Sequence, residues 1–188
     1  MKPALTERDF VLAAQALGCE VAAIKAVAEV EAGGVGFHST GEPKILFERH
    51  WFHRLTNGRF SAMAPDISNP MAGGYKGGLA EHERLSRAAK LDRNAALLSA
   101  SWGKFQIMGF NFRRAGFADL QSFINAMFRS EADHLRAFVS FIKADLRLVA
   151  ALRANNFTRF ASIYNGPGYA KNKYDHKMYA AYRRMRNG

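Results

Sequence analysis

The sequence predicts a mainly α-helical protein with a small β-hairpin lobe, folded as a single domain over residues 1–188. Apolar residues recur at helical spacing through most of the chain, and turn-forming residues interrupt that pattern mainly around 37–47 and 59–78. The composition is globular, with 48% hydrophobic and 23% charged residues. A chain of 188 residues can bury a substantial core, and no internal repeat or linker divides it.

The first two helices are predicted from their ends. Thr6 is a suitable N-cap for a helix that reaches about residue 16, and Gly18 ends it. The second helix covers residues 20–32 and ends in a turn that contains Gly33 and Gly34, because glycine adopts left-handed backbone without strain.

The rest of the chain alternates helical patterns with turns. Residues 44–47 predict a short strand of the hairpin lobe, and residues 59–78, which contain Pro65 and Pro70, predict a long irregular loop. Such a loop in a compact domain is usually functional or mobile. Further helices are expected at 48–55, 79–90, 94–109, 120–129, 130–153, 156–164 and 171–186.

The second helix carries an acid on its apolar face. At about 100° per residue, Glu31 falls within about 60° of Ile24, Val27 and Ala28, whereas Glu29 lies about 160° away. Burial against aliphatic neighbours disfavours the charged carboxylate and raises its pKa, which is what a general acid needs near neutral pH. The alternative is an ordinary last-turn residue whose carboxylate points outward. The helix dipole disfavours an acid there, so the placement has a cost that a function would explain.

Other chemistries have weaker support in the sequence. A single cysteine, Cys19, excludes an internal disulfide framework and has no cysteine-histidine motif around it. His50 and His53 are spaced for a metal, but no third ligand accompanies them, so neither a metal site nor a cofactor is expected. The glycines after Glu31 do not follow a strand of a βαβ unit, and no Gly-x-Ser-x-Gly elbow is present.

The chain is strongly basic. Its 27 Lys and Arg against 16 Asp and Glu give a net charge of +11, which favours a polyanionic partner: nucleic acid, an anionic membrane or an anionic cell-wall polymer. Because the basic residues are dispersed and no helix-turn-helix or RNA-binding signature occurs, a nucleic-acid-binding protein is the weaker alternative. The N-terminus lacks the apolar core of a secretory signal, so the protein is expected to start in the cytoplasm.

Two further stretches carry polar groups beside small residues. Ser101 and Gln106 flank Gly103, which allows close approach of a backbone or a ligand, and Tyr164-Asn165 precedes a Gly-Pro-Gly turn. A carboxylic acid, a side-chain amide and a Tyr-Asn turn are groups that hold and protonate a hydroxyl-rich polymer.

In chain order, these motifs resemble those of the lysozyme superfamily, particularly goose-type lysozymes and soluble lytic transglycosylases. The series is a glutamate before a small residue and Gly-Gly, then Ser-x-Gly-x-x-Gln-Ile, then Tyr-Asn-Gly. Residues 30–37 followed by 43–52 resemble more closely the N-acetylmuramidase domain of modular phage endolysins, and the resemblance covers essentially the whole chain.

The resemblance implies a lysozyme-like fold that hydrolyses the β-1,4 bond between N-acetylmuramic acid and N-acetylglucosamine in peptidoglycan, for host lysis. It makes Glu31 the general acid. It makes four residues substrate-binding groups of the groove: Ser101, Gln106, Tyr164 and Asn165. Ala32 departs from the family, which commonly has serine there, and this removes one hydrogen bond while sparing the chemistry.

The second carboxylate stays open between Glu48 and Glu42. Inversion needs a base about 6.5 to 9.5 Å from the acid, and retention needs a closer nucleophile. We favour Glu48, because Glu42 sits in a Gly-Glu-Pro turn that we expect to be mobile; Arg49 could instead pair with Glu48 in a structural role. A lytic transglycosylase, which needs one acid and forms 1,6-anhydro ends, remains the alternative reaction.

The implied setting is a phage lytic enzyme that acts as a monomer. It would stay in the host cytoplasm until a membrane lesion forms, and then reach the wall, in the periplasm of a Gram-negative host. No separate wall-binding module fits before Thr6, so wall affinity is expected to come from positive charge. Residues 171–186 predict a helix that docks an apolar stripe on the core and turns a basic face towards the anionic wall or lipopolysaccharide.

Overall fold

A computed structural model describes residues 2–32 and 34–187 as helices around a small sheet. Within these residues the helices are α1 Glu7–Leu17, α2 Val21–Glu31, α3 Arg49–Leu55, α4 Ala80–Leu91, α5 Arg93–Leu98, α6 Leu120–Arg129, α7 Glu131–Lys143, α8 Leu146–Arg153, α9 Phe157–Tyr164 and α10 Tyr174–Asn187. The strands are β1 Ile45–Phe47, β2 Ala100–Trp102 and β3 Ile107–Met108, and short 3₁₀ helices cover Gly109–Asn111 and Gly166–Tyr169. The predicted fold class is therefore confirmed.

The N-terminal helices begin and end where their caps predict. The Thr6 side chain accepts a hydrogen bond from the Asp9 backbone N–H while Asp9 accepts from Thr6, which is a complete capping box. Gly18 ends α1 in left-handed backbone with φ of 67°. In the turn predicted after α2, Gly33 lies outside the described residues and Gly34 has φ of 107°.

The β-lobe draws its strands from two distant segments. β1 pairs antiparallel with β2, with Phe47 opposite Ala100, and β2 pairs antiparallel with β3. The predicted helix over 94–109 is thus wrong beyond Leu98. Positive φ values at Gly103 (71°) and Gln106 (48°) reverse the chain between β2 and β3, and pairing with β1 satisfies the backbone groups that a helix would otherwise have bonded internally.

The long loop over 59–78 is anchored by a buried ion pair. Glu81 is fully buried and accepts hydrogen bonds from the backbone N–H groups of Phe47 (3.1 Å), Lys76 (2.6 Å) and Gly77 (3.1 Å). Its partner Arg84 lies 2.7 Å away and donates to the Phe47 carbonyl. Burial alone would raise the pKa of Glu81, but these donors and the Arg84 charge hold it below its ordinary value.

Among the C-terminal helices, α10 packs against α2 and α9, and α8 packs against α7 and α9. The single helix predicted over 130–153 is wrong at one point, because the chain breaks after Lys143 and Asp145 caps α8 by accepting from the Arg147 N–H. The predicted apolar stripe of α10 docks on the core through Met178 and Tyr182, which are both buried.

No single helix among residues 2–32 and 34–187 is long and apolar enough to cross a membrane. α1 and α2 pass such a test only as a pair, and they are bent by 108° relative to each other.

Candidate active site

The predicted acid lines an open cleft between the helices and the small sheet. Glu31 is the last residue of α2, and the cleft has a volume of about 470 Å³. The opposite wall comes from residues 44–46 at the start of β1, from Gly77 and Gly78 of the anchored loop, and from residues 103–106 of the β2–β3 turn. The lobe therefore faces Glu31 across the cleft.

The Glu31 carboxyl keeps its proton to a higher pH than an ordinary glutamate. It is half-buried, and burial raises its pKa from 4.5 to about 7, although the Asn165 amide opposes the shift by donating to Oε2 at 3.2 Å. The other oxygen, Oε1, is buried and has no hydrogen-bond partner among the described residues. A carboxyl of this kind can deliver a proton near neutral pH.

Tyr164 and Asn165 support the acid from the end of α9. Asn165 follows the last residue of that helix and contacts Glu31 directly. The Tyr164 ring stacks on Phe160 at 5.7 Å and meets the edge of Phe138 at 5.6 Å. Burial, together with the negative charge of Glu31, raises the pKa of Tyr164 above its ordinary range. The predicted Tyr-Asn turn and the acid are thus brought together.

Ser101 and Gln106 brace the turn that forms the far wall. The Ser101 hydroxyl donates to Gln106 Oε1 at 2.7 Å, and Gln106 Nε2 donates to the carbonyls of Gly103 (2.8 Å) and Lys44 (3.3 Å). Gln106 lines the cleft, whereas Ser101 is buried in β2. Ser101 therefore acts on the cleft through Gln106.

Glu48 occupies the N-cap position of α3 and makes contacts with the loop. Its carboxylate accepts from the Tyr75 hydroxyl at 2.8 Å and lies 3.2 Å from His50 Nδ1. The alternative in which Arg49 pairs with Glu48 finds no support, because the Arg49 guanidinium donates to the backbone carbonyls of Met71 (2.9 Å) and Ala72 (3.2 Å).

Neither candidate for the second carboxylate is among the described residues that line the cleft with Glu31. Leu46, two residues earlier, lines the cleft, whereas the Glu48 carboxylate contacts Tyr75 and His50. Glu42 lies in the turn before β1, where a hydrogen bond from Thr40 lowers its pKa. The role of Glu48 as the second carboxylate therefore stays a prediction.

A buried carboxylate that the sequence analysis missed fixes the segment after the acid. Glu131, 5% exposed at the start of α7, accepts from the Gly36 N–H at 2.6 Å. Lys104 lies 3.2 Å from the other Glu131 oxygen and donates to the Gly34 carbonyl at 2.8 Å. These contacts tie the chain that leaves Glu31 to the β2–β3 turn across the cleft floor.

His134 completes this support. Its Nδ1 accepts from the Lys104 N–H at 3.0 Å, so Nε2 carries the proton and donates to the Met127 carbonyl at 2.7 Å. Burial lowers the pKa of His134 and keeps the ring neutral. A Cβ added to Gly36 or Gly103 would lie 2.7 or 2.9 Å from this ring, so both positions require glycine. The sequence offers one signal for these two supporting residues, because Glu131 and His134 lie one helical turn apart at the start of a helix.

A proton-bearing glutamate in an open cleft between a helical body and a small sheet defines a glycosidase-type site. The comparisons agree with this class. A family model of N-acetylmuramidase matches residues 20–186, and the chain belongs to the N-acetylmuramidase family. The predicted peptidoglycan-degrading function is thereby confirmed, and the transglycosylase alternative is not favoured.

A solved structure gives a close match over nearly the whole chain. The crystal structure of the Burkholderia AP3 phage endolysin is 42% identical in sequence and superimposes with a TM-score of 0.94. The match covers 98% of this chain and 72% of that one. A comparison with curated proteins gives no match.

Proposed function

We propose that this chain is the muramidase domain of a phage endolysin, a single catalytic unit over residues 1–188 that hydrolyses the bond between N-acetylmuramic acid and N-acetylglucosamine. The observation that carries the proposal is the Glu31 carboxyl, whose pKa of about 7 lets it hold a proton inside the cleft. Family membership and the similarity to a phage endolysin support the substrate and the setting.

In the proposed reaction, Glu31 donates its proton to the glycosidic oxygen as the bond from that oxygen to carbon 1 breaks. Water adds to carbon 1, and a carboxylate removes the proton that water loses. We assign that second role to Glu48, whose carboxylate accepts a hydrogen bond from the Tyr75 hydroxyl and which follows the cleft-lining Leu46 by two residues. Substrate contacts are assigned to three of the four predicted groove residues, Gln106, Tyr164 and Asn165. Ser101 is assigned the role of holding Gln106 in place through their hydrogen bond.

The first test replaces the acid by its neutral isostere. Glu31→Gln keeps the shape but removes the proton, and general acid catalysis contributes about 10²–10⁴-fold to the rate. Clearance of purified cell walls should fall by at least that factor. Glu83→Gln is the matched control, since Glu83 is an exposed helical glutamate that does not line the cleft. Near-wild-type clearance by Glu31→Gln would refute the assignment.

The second test identifies the products. Mass spectrometry of muropeptides released by the wild-type protein should find reducing N-acetylmuramic acid ends. Ends of the 1,6-anhydro type would show that the sugar's own 6-hydroxyl attacks carbon 1 in place of water. Reducing N-acetylglucosamine ends would place the cleavage at the other glycosidic bond.

The third test addresses the second carboxylate. Glu48→Gln should lose most hydrolytic activity while keeping the wild-type melting temperature, and Glu42→Gln serves as the matched control in the same lobe. Full activity of Glu48→Gln would return this residue to a structural role at the start of α3.

The positive charge on α10 is the proposed source of affinity for the cell wall. We propose that the protein is a monomer that binds no nucleic acid and that it reaches the wall from the host cytoplasm through a membrane lesion. Arg183 and Arg186 are exposed, whereas Arg184 already pairs with Glu29 at 2.6 Å. Because the Debye length is about 8 Å at 0.15 M salt, wall binding should weaken as salt rises. Replacing all three arginines with Gln should flatten that dependence and leave cleavage of a short soluble glycan unchanged. An unaltered salt dependence would assign the affinity to the cleft.

A further inference from the structure

A second hollow lies next to the catalytic cleft. It has a volume of about 470 Å³ and is bounded by α1, α2 and the end of α10. Its floor is apolar and consists of Phe10, Ala28 and Met185, and Phe10 and Met185 are half-buried. Because the reaction proposed above uses none of these three side chains, the hollow is free for another purpose.

The hollow and the cleft are continuous. Ala32, Val35 and Lys104 line both of them, and Val35 forms the ridge between the two with its side chain 62% exposed. Ala32 directly follows the acid, so the hollow begins one residue from Glu31. A substituent on a sugar bound in the cleft reaches the hollow by passing over Val35.

The chemistry of the hollow suits a peptide better than further sugar rings. Sugars carry hydroxyl groups on most carbons, and a buried hydroxyl without a hydrogen-bond partner is costly. The apolar floor offers such groups no partners. The rim holds ion pairs, Lys25 with Glu7 and Arg184 with Glu29. Methyl groups would pack on the floor, and amine and carboxylate groups of a peptide would meet both signs of charge at the rim.

We propose that this hollow is a binding site for the peptide that substitutes the muramic acid of peptidoglycan. The inference rests on the proposed function, since it needs the glycan to occupy the cleft beside Glu31. It makes the protein selective for peptide-bearing glycan over the same glycan without peptide. Two observations identify the occupant as this peptide. The hollow is continuous with the cleft that would hold the glycan, and its apolar floor and rim of both charges match the side chains and charged groups of a peptide.

The test compares two soluble substrates: peptidoglycan strands that carry their peptides, and the same strands after an amidase has removed them. We expect the wild-type protein to cleave the peptide-bearing strands with a KM about tenfold lower, because burial of one or two methyl groups contributes a factor of this size. Phe10→Ala and Met185→Ala should raise the KM for peptide-bearing strands towards that for stripped strands. Their kcat values, and all constants for stripped strands, should not change.

The control is Leu12→Ala, which removes an apolar side chain from α1 that is 54% exposed and lies outside the hollow. Melting temperatures identify a variant that fails to fold. If either Phe10→Ala or Met185→Ala does so, the KM values of the other variant test the proposal. Equal KM values of the wild-type protein for both substrates would overturn the peptide site and leave the muramidase proposal intact. An equal loss by the variants on both substrates would also overturn it, since that result indicates a structural role. Absence of new reducing ends from either substrate would refute the muramidase proposal itself.

Discussion

Replacing the acid should stabilise the fold in a pH-dependent way. The pKa of Glu31 is about 7 in the folded protein, against 4.5 for an ordinary glutamate. An acid whose pKa is raised by folding binds its proton more tightly in the folded state. The contribution of Glu31 to the free energy of unfolding is therefore greatest below pH 4.5, falls as pH rises from 4.5 to 7, and stays reduced above pH 7.

The size of this effect follows from the two pKa values. One pKa unit corresponds to about 1.4 kcal/mol, so the ionised acid costs about 3 kcal/mol of unfolding free energy at pH 8 and about 1 kcal/mol at pH 5. Glu31→Gln removes the ionisation but keeps the size of the side chain. The gain in stability of the variant over the wild-type protein should grow by about 2 kcal/mol between pH 5 and pH 8.

Urea denaturation at pH 5 and pH 8 measures this directly, because any fixed cost of burying a glutamine amide is the same at both pH values. The control is Glu29→Gln, whose exposed ion pair with Arg184 is worth at most about 1 kcal/mol. If Glu31→Gln changes the free energy of unfolding by the same amount at pH 5 and at pH 8, the Glu31 carboxyl ionises normally. The general acid assignment would then lose its physical basis.

Three further predictions concern the residues around the acid. The value of kcat/KM should fall as pH rises through about 7, and Asn165→Ala should move that fall to higher pH, because the amide hydrogen bond favours the charged acid; an unmoved pH profile would contradict this. Glu131→Gln should lower kcat by up to about 100-fold with little change in KM, since the segment after the acid loses its anchor; wild-type kcat would mean that the anchor is dispensable. Glu81→Gln should cost about 3–5 kcal/mol in urea denaturation by leaving Arg84 buried without its partner, whereas the exposed Glu83→Gln should have little effect.

Local signals were enough to predict much of the helical body. The capping box at Thr6, the left-handed Gly18 and the apolar stripe of α2 depend on residues within a few positions of each other. The orientation of Glu31 towards the interior follows from the same helical periodicity. These features could be read from the sequence because their physical causes are local.

The missed features depend on contacts between distant segments. Residues 100–102 have a helical apolar pattern, but their backbone pairs with residues 45–47, and a local pattern does not reveal such a partner. The bond between Glu131 and Gly36 joins residues 95 positions apart. From the sequence alone, a glutamate at the start of a helix is indistinguishable from an ordinary first-turn acid that the helix dipole favours. Its burial and its bond to a distant backbone N–H depend on the fold.

The two carboxylates to which catalytic roles are assigned are held with different rigidity. Glu31 is on a helix and is supported by Asn165 from α9, so the position of the acid depends on packed helices. Glu48, in contrast, is held by Tyr75, which belongs to the loop over 59–78 and is 45% exposed. The residue after Tyr75 is bonded to buried Glu81. If Glu48 assists water as proposed, the Glu81 anchor sets the position of that carboxylate through the loop, and loosening the anchor should impair the attack of water more than the delivery of the proton.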